Sequence, residues 1–117
     1  MRIDAHQHSW NYVPTDFAWI SDDVLKNDFS PPDFEPLLRK MNMDGGIAVQ
    51  ARQTEDETRF RAELAEGHES IRAVAGWVDL RAANVGERLD YWRRFPKITA
   101  FRHMVQDEPD VPSFLND

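Results

Sequence analysis

Four short runs of β-forming residues, separated by stretches with a helical period, constrain this chain more than any other feature. The first, residues 1–5, leads directly into His6-Gln7-His8. The second, residues 46–51, follows Asp44-Gly45, a pair that reads as a helix stop and turn; the third and fourth cover residues 71–78 and 98–105. Brief, nearly continuous apolar runs suit strands buried in a parallel sheet. The segments between them carry helix signals. Ser30 precedes Pro31-Pro32, and Phe34, Leu37, Leu38 and Met41 fall on one helical face. Thr54-Glu55-Asp56-Glu57 reads as a capping box, with Phe60 and Leu64 facing inward and Gly67 as the stop. Asn84 opens a third helix, with Val85, Leu89 and Trp92 inward and Pro96 ending it. Strands alternating with helices predict right-handed βαβ units around a parallel sheet, an α/β fold.

Size then limits the architecture. The 117 residues suit a single domain, 1–117, with one long excursion at 9–30 between the first strand and the first helix. A closed (β/α)8 barrel takes roughly 250 residues, so the pattern predicts the first half of a TIM barrel. An open doubly wound sheet is the competing arrangement, but no glycine-rich phosphate loop follows the first strand. Helices wound in one sense cover one face of such a half-barrel. The bare face predicts self-association or a missing C-terminal half. The excursion holds Trp10, Tyr12, Phe17 and Trp19 among acidic residues. It reads either as a lid or as a surface extension held by its own aromatics.

Charge and composition exclude several function classes. Fourteen Lys and Arg against 21 Asp and Glu give a formal charge of −7, which leaves no cheap basic face for a phosphate backbone, so no nucleic acid is expected as a partner. The absence of cysteine removes disulfides and thiolate–metal sites and suits a reducing cytoplasm. No run approaches the ~18 apolar residues of a membrane span, and no membrane partner is expected.

The residues that could carry chemistry sit at the ends of the four runs. Alternation along a strand puts Asp4, His6 and His8 on one face, and imidazoles about 7 Å apart at a strand mouth can reach one ion if the strand end bends. Imidazole suits zinc, although a hydrolytic site needs about three protein ligands. His103 follows Arg102 at the fourth strand end, and strand alternation lets only one of them point squarely inward. His103 could be a third ligand, a proton donor or an electrophile. At the second strand end Gln50 and Arg52 share a face; Arg52 could hold a carboxylate or an oxyanion, and Gln50 sugar-like hydroxyls. Trp77 and Asp79 pair an aromatic plane with a carboxylate at the third strand end, an arrangement suited to a sugar ring. His68, just past a helix stop, reads as structural.

Several phrases together resemble a known family. Ile3-Asp4-Ala5-His6-Gln7-His8-Ser9-Trp10 resembles the opening of the amidohydrolase superfamily, of the amidohydrolase-2 type. Val49-Gln50-Ala51-Arg52-Gln53-Thr54, Gly76-Trp77-Val78-Asp79-Leu80, Phe101-Arg102-His103-Met104-Val105-Gln106-Asp107-Glu108-Pro109 and Phe17-Ala18-Trp19-Ile20 are similar to its sugar lactonase branch, the L-fuconolactonases and L-rhamnonolactonases. The resemblance runs over nearly the whole chain. It implies a metal-dependent TIM-barrel hydrolase that opens a sugar lactone, with His6 and His8 at a divalent metal, zinc foremost. By the same resemblance His103 lies at the substrate pocket; Arg102 is expected to act beside it, with Gln50, Arg52, Trp77 and Asp79 as substrate contacts from their places at the strand ends. The superfamily's later histidine and strand-eight aspartate have no counterpart here, so the chain is expected to lack the usual base and to be inactive alone. The alternatives are a metal-dependent decarboxylase of the same superfamily and a non-catalytic, self-associating half-barrel.

Overall fold

The computed structural model describes residues 1–116. Its elements alternate as β1 (Ile3–Gln7), α1 (Pro31–Lys40), β2 (Gly45–Val49), α2 (Glu55–Gly67), β3 (Ile71–Gly76), α3 (Val85–Trp92) and β4 (Ile98–Phe101). A 3-10 turn at Val105–Asp107 and a short helix α4 (Val111–Leu115) follow. All four strands are parallel and lie side by side in chain order, β1-β2-β3-β4. That order rules out the doubly wound alternative, in which the strand sequence reverses direction at a switch point. With crossovers of one hand, it is the winding of a (β/α) half-barrel.

Local chemistry explains where the strands stop. β3 ends at Gly76 because the next amide is captured: Trp77 N–H donates to Thr58 Oγ1 (2.7 Å), and that hydroxyl donates to Trp77 O (2.6 Å). α2 must lie close for this. A Cβ on Gly76 would sit 2.6 Å from Thr58 Cγ2, so only glycine fits there. β4 ends at Phe101, short of the expected 98–105, because Gln53 Oε1 takes the Met104 amide (2.7 Å) and the chain turns into the 3-10 segment. β1 runs to Gln7, two residues beyond expectation.

The buried helix faces differ from the periodicity reading. On α1, Leu38 is buried while Leu37 and Met41 are exposed, since a single sheet layer covers only part of the apolar stripe. On α2 the buried side carries Glu57, Thr58, Arg61, Ala62 and Ala65, with Phe60 and Leu64 half-buried. Small and polar residues there let the helix approach the sheet. The core under it joins Ala48, Ala65, Ile71 and Val74. Only half of the expected capping box forms at α2: Thr54 Oγ1 accepts from Glu57 N–H (3.2 Å), while the Glu57 carboxylate turns to Ala51, Arg52 and Arg61.

The excursion before α1 is pinned by its own aromatics. Trp10 and Phe29 exchange two backbone hydrogen bonds of 2.8 Å, and Trp10 Nε1 donates to Asn27 O. Trp10, Phe17 and Ile20 close with Ala51 into a second apolar cluster.

Trp92 anchors α3, and beside it Arg59 Nη2 donates to the Tyr91 hydroxyl (2.8 Å). That bond, reinforced by the charges of Arg59, Arg94 and Arg88, holds the Tyr91 phenol below its ordinary value. Arg59→Ala should move the Tyr91 transition to higher pH. Ultraviolet titration can read this because Tyr12 is the one other tyrosine; an unmoved transition would refute the bond.

Candidate functional site

The side chains gather at the C-terminal ends of the strands, on the sheet face opposite the helices. Gln7 marks the helix side: it is buried near Gly46 and the Phe34 ring of α1. Alternation therefore turns His6 and His8 to the open face. There their Nε2 atoms approach to 3.1 Å. His8 is fixed from behind, its Nδ1 lying 2.8 Å from Val49 O at the end of β2. A carbonyl only accepts, so Nδ1 carries the proton and Nε2 keeps its lone pair. Burial lowers the His8 pKa; the Val49 bond opposes this, and the nearby charges of Arg61, His6 and Arg102 add to it.

Arg102 arrives beside this pair from β4 by reaching over the end of β3. Its Nη2 donates to Gln50 O (2.9 Å) and Oε1 (3.3 Å), while Gln50 Nε2 donates to Arg102 O (3.2 Å). Gln50 is fully buried, and its exchange with Arg102 fastens β2 to β4. Arg102 Nε is buried with no partner among the described residues. His8, Arg102 and the exposed Trp19 line one cavity of about 270 Å³, with Asp107 at its edge.

His103 turns the other way, into a second and more open cleft of about 450 Å³ with Gln53, Trp77, Asp79 and Glu108. The two residues that follow β4 thus line adjacent cavities, Arg102 the one with His8 and His103 the one with Trp77. Met104 lines the first cavity, and Gln53, which holds its amide, lines the second, so the two adjoin there. Trp77 Nε1 lies 3.1 Å from His103 Nδ1, and His103 Nε2 lies 2.6 Å from Glu108 Oε1. Phe114 of α4 stacks on the imidazole at 4.5 Å. Both ring nitrogens are thus engaged, in a cleft that neither His6 nor His8 lines.

Gln50 and Arg52 do not share a face. The chain leaves strand geometry after Val49, and Arg52 swings outward to Glu57 Oε2 (3.2 Å) and Asp16 Oδ2 (2.9 Å), over the Phe17 ring. It ties the long excursion to α2. His68 lies 3.5 Å from Glu35, away from both cavities. Nothing in the sequence pattern marks Glu108 or Phe114 as partners of His103. The tail carries no period, and the turn at Val105–Asp107 leads it back so that Glu108 and Phe114 meet His103. Among the described residues, no group of three or more His, Asp or Glu could hold a metal.

No family profile matches the sequence. Curated relatives do. The chain is 45% identical to an L-fucono-1,5-lactonase of Burkholderia multivorans, over 100% of this chain and 40% of that protein. It is 36% identical to an L-fucono-1,5-lactonase of Burkholderia ambifaria, over 93% of this chain and 38% of that one. An amidohydrolase from Burkholderia multivorans, crystallised with bound zinc, superposes with a TM-score of 0.95 at 45% identity, covering 100% of this chain and 42% of its own. The chain spans about two-fifths of the length of the relatives it matches. Over its whole length the chain is thus similar, in sequence and in fold, to part of an amidohydrolase and of the L-fucono-1,5-lactonases.

Proposed function

We propose that this chain supplies the N-terminal part of a hydrolase that opens an aldonolactone to its hydroxy acid. The observation that carries the reading is the convergence of His6, His8 and Arg102 at one strand-end rim, together with the lactonase names of the relatives.

The histidine pair fits two ligands of a divalent ion. Nitrogens bonded at about 2.0–2.1 Å to one tetrahedral ion stand about 3.3 Å apart, close to the 3.1 Å seen here. The Val49 carbonyl orients His8 as a backbone acceptor orients a ligating imidazole. Further ligands belong to chain outside these residues. Zinc, present in the crystallised relative, would polarise the lactone carbonyl when bound there.

The remaining roles fall to this chain's own side chains. Arg102, held by Gln50 and with Nε unspent, offers positive charge to the oxyanion that forms when water adds to the carbonyl. His103 handles the proton, with Trp77 and Asp79 presenting a plane and a carboxylate to the sugar in the same cleft. Gln50 reaches the substrate only through Arg102, and Arg52 acts on the excursion that bears Trp19.

The test is hydrolysis by the complete protein carrying this segment, offered fucono- and rhamnono-lactones with a pH indicator. Acid release from at least one aldonolactone is expected, and silence on all of them would overturn the reading.

A further inference from the structure

The second cleft holds a directed chain of hydrogen bonds whose last member, Glu108, the lactonase reading does not use. An indole N–H only donates. Nδ1 of His103 must therefore accept from Trp77 (3.1 Å) and keep its lone pair on that side. The proton then resides on Nε2, which donates to Glu108 Oε1 at 2.6 Å. Rotation of the ring is blocked by Phe114, stacked at an interplanar angle of 17°. Glu108 is held in turn by its own backbone, whose N–H donates to Val105 O (3.1 Å) at the end of the 3-10 turn. Every one of these contacts lies within this chain.

We propose that Glu108 is the positioning residue of His103. By accepting Nε2–H it fixes the tautomer in which Nδ1 is the basic nitrogen, and Trp77 keeps that nitrogen turned toward the cleft until water or a hydroxyl takes its place. Resting on the hydrolase reading, the step is as follows. As the water oxygen bonds to the lactone carbonyl carbon, the proton it releases reaches Nδ1. The ring C–O bond then breaks, and the leaving oxygen receives the proton from Nδ1. The carboxylate of Glu108 stabilises the imidazolium in between, as the buried carboxylate of a hydrolytic triad does. No external oxidant, reductant or second substrate is needed. The other charged groups facing this cleft are Asp79 and Arg81, both from the segment after β3, while Arg102 faces the neighbouring cavity.

Two variants in the complete protein test the idea. Glu108→Ala should lower kcat by about 10–100-fold, the usual cost of losing an orienting partner, with KM little changed. Glu108→Gln keeps an acceptor for Nε2–H without the charge. It should recover part of that loss. Nitrogen-15 spectra of the His103 ring give a readout independent of activity: Nε2 protonated and Nδ1 bare in the parent and in Glu108→Gln, mixed tautomers in Glu108→Ala. A parent spectrum with the proton on Nδ1, or an alanine variant with unchanged kcat, would overturn the proposal. A parent that opens no lactone while showing the locked tautomer sinks the hydrolase reading alone.

Discussion

Glu57→Ala should destabilise the fold by about 3–5 kcal/mol, the cost of leaving a buried charge without its partner. Glu57 sits on the first turn of α2 and is nearly inaccessible, as is Arg61 one turn later. Glu57 Oε1 accepts from Arg61 Nε (2.7 Å) and from the Ala51 amide (3.0 Å), and Oε2 accepts from Arg52 Nε (3.2 Å). One carboxylate thus joins α2, the end of β2 and the arginine that tethers the long excursion. Arg61 is already poorly provided for: burial pushes its guanidinium below the ordinary value, Glu57 opposes the shift, and Nη1 has no partner among the described residues. Removing Glu57 takes away what compensates that cation. Against the typical 5–15 kcal/mol total for a domain, a loss of about 3–5 would be severe. Urea unfolding of the variant beside the parent measures it. The double replacement Glu57→Leu with Arg61→Met should recover most of the loss, because an apolar pair leaves no charge stranded. A single-variant loss under about 1 kcal/mol would mean that water reaches Arg61.

The second large effect is expected at the open face. His8→Ala in the complete protein should reduce lactone hydrolysis by at least about 10²-fold, since polarisation of a carbonyl supplies several kcal/mol of transition-state stabilisation. His6→Ala should do the same. Both should lower the zinc content of the purified protein, measured by elemental analysis. Zinc retained at the parent level in His8→Ala would show that the 3.1 Å pair does not hold it. The fold should be unaffected by His6→Ala, because that imidazole is exposed and, among the described residues, its one side-chain partner is His8.

The architecture was readable because its signals are local. Strand runs, the Thr54 cap and the spacing of βαβ units depend on residues within a few positions of each other, and all appear in the structure. The pairing of His6 with His8 was readable for the same reason, since period-two alternation along one strand turns both to one face. Buried faces were harder. Period alone favoured Phe60 and Leu64 on α2, whereas the sheet beneath accepts Thr58, Ala62 and Ala65 because Gly76 admits the helix so closely. The Glu57–Arg61 spacing is that of a helical ion pair, but i,i+4 pairs are ordinarily solvent-exposed, and only the packing of the excursion and α2 over it makes the pair a buried one.

What this sequence determined by itself is the order and kind of its elements and the strand ends at which its chemistry is concentrated, because backbone propensity and side-chain alternation act over short distances. The tertiary structure decided which of those residues meet. Arg102 joins His8 by crossing β3 to Gln50, Arg52 leaves for Glu57 and Asp16, and His103 is closed between Trp77 and a tail glutamate. Those outcomes depend on where each strand lets go of the ladder and which distant amide or carbonyl captures the next residue, a competition between non-local hydrogen bonds that no local pattern in the sequence records.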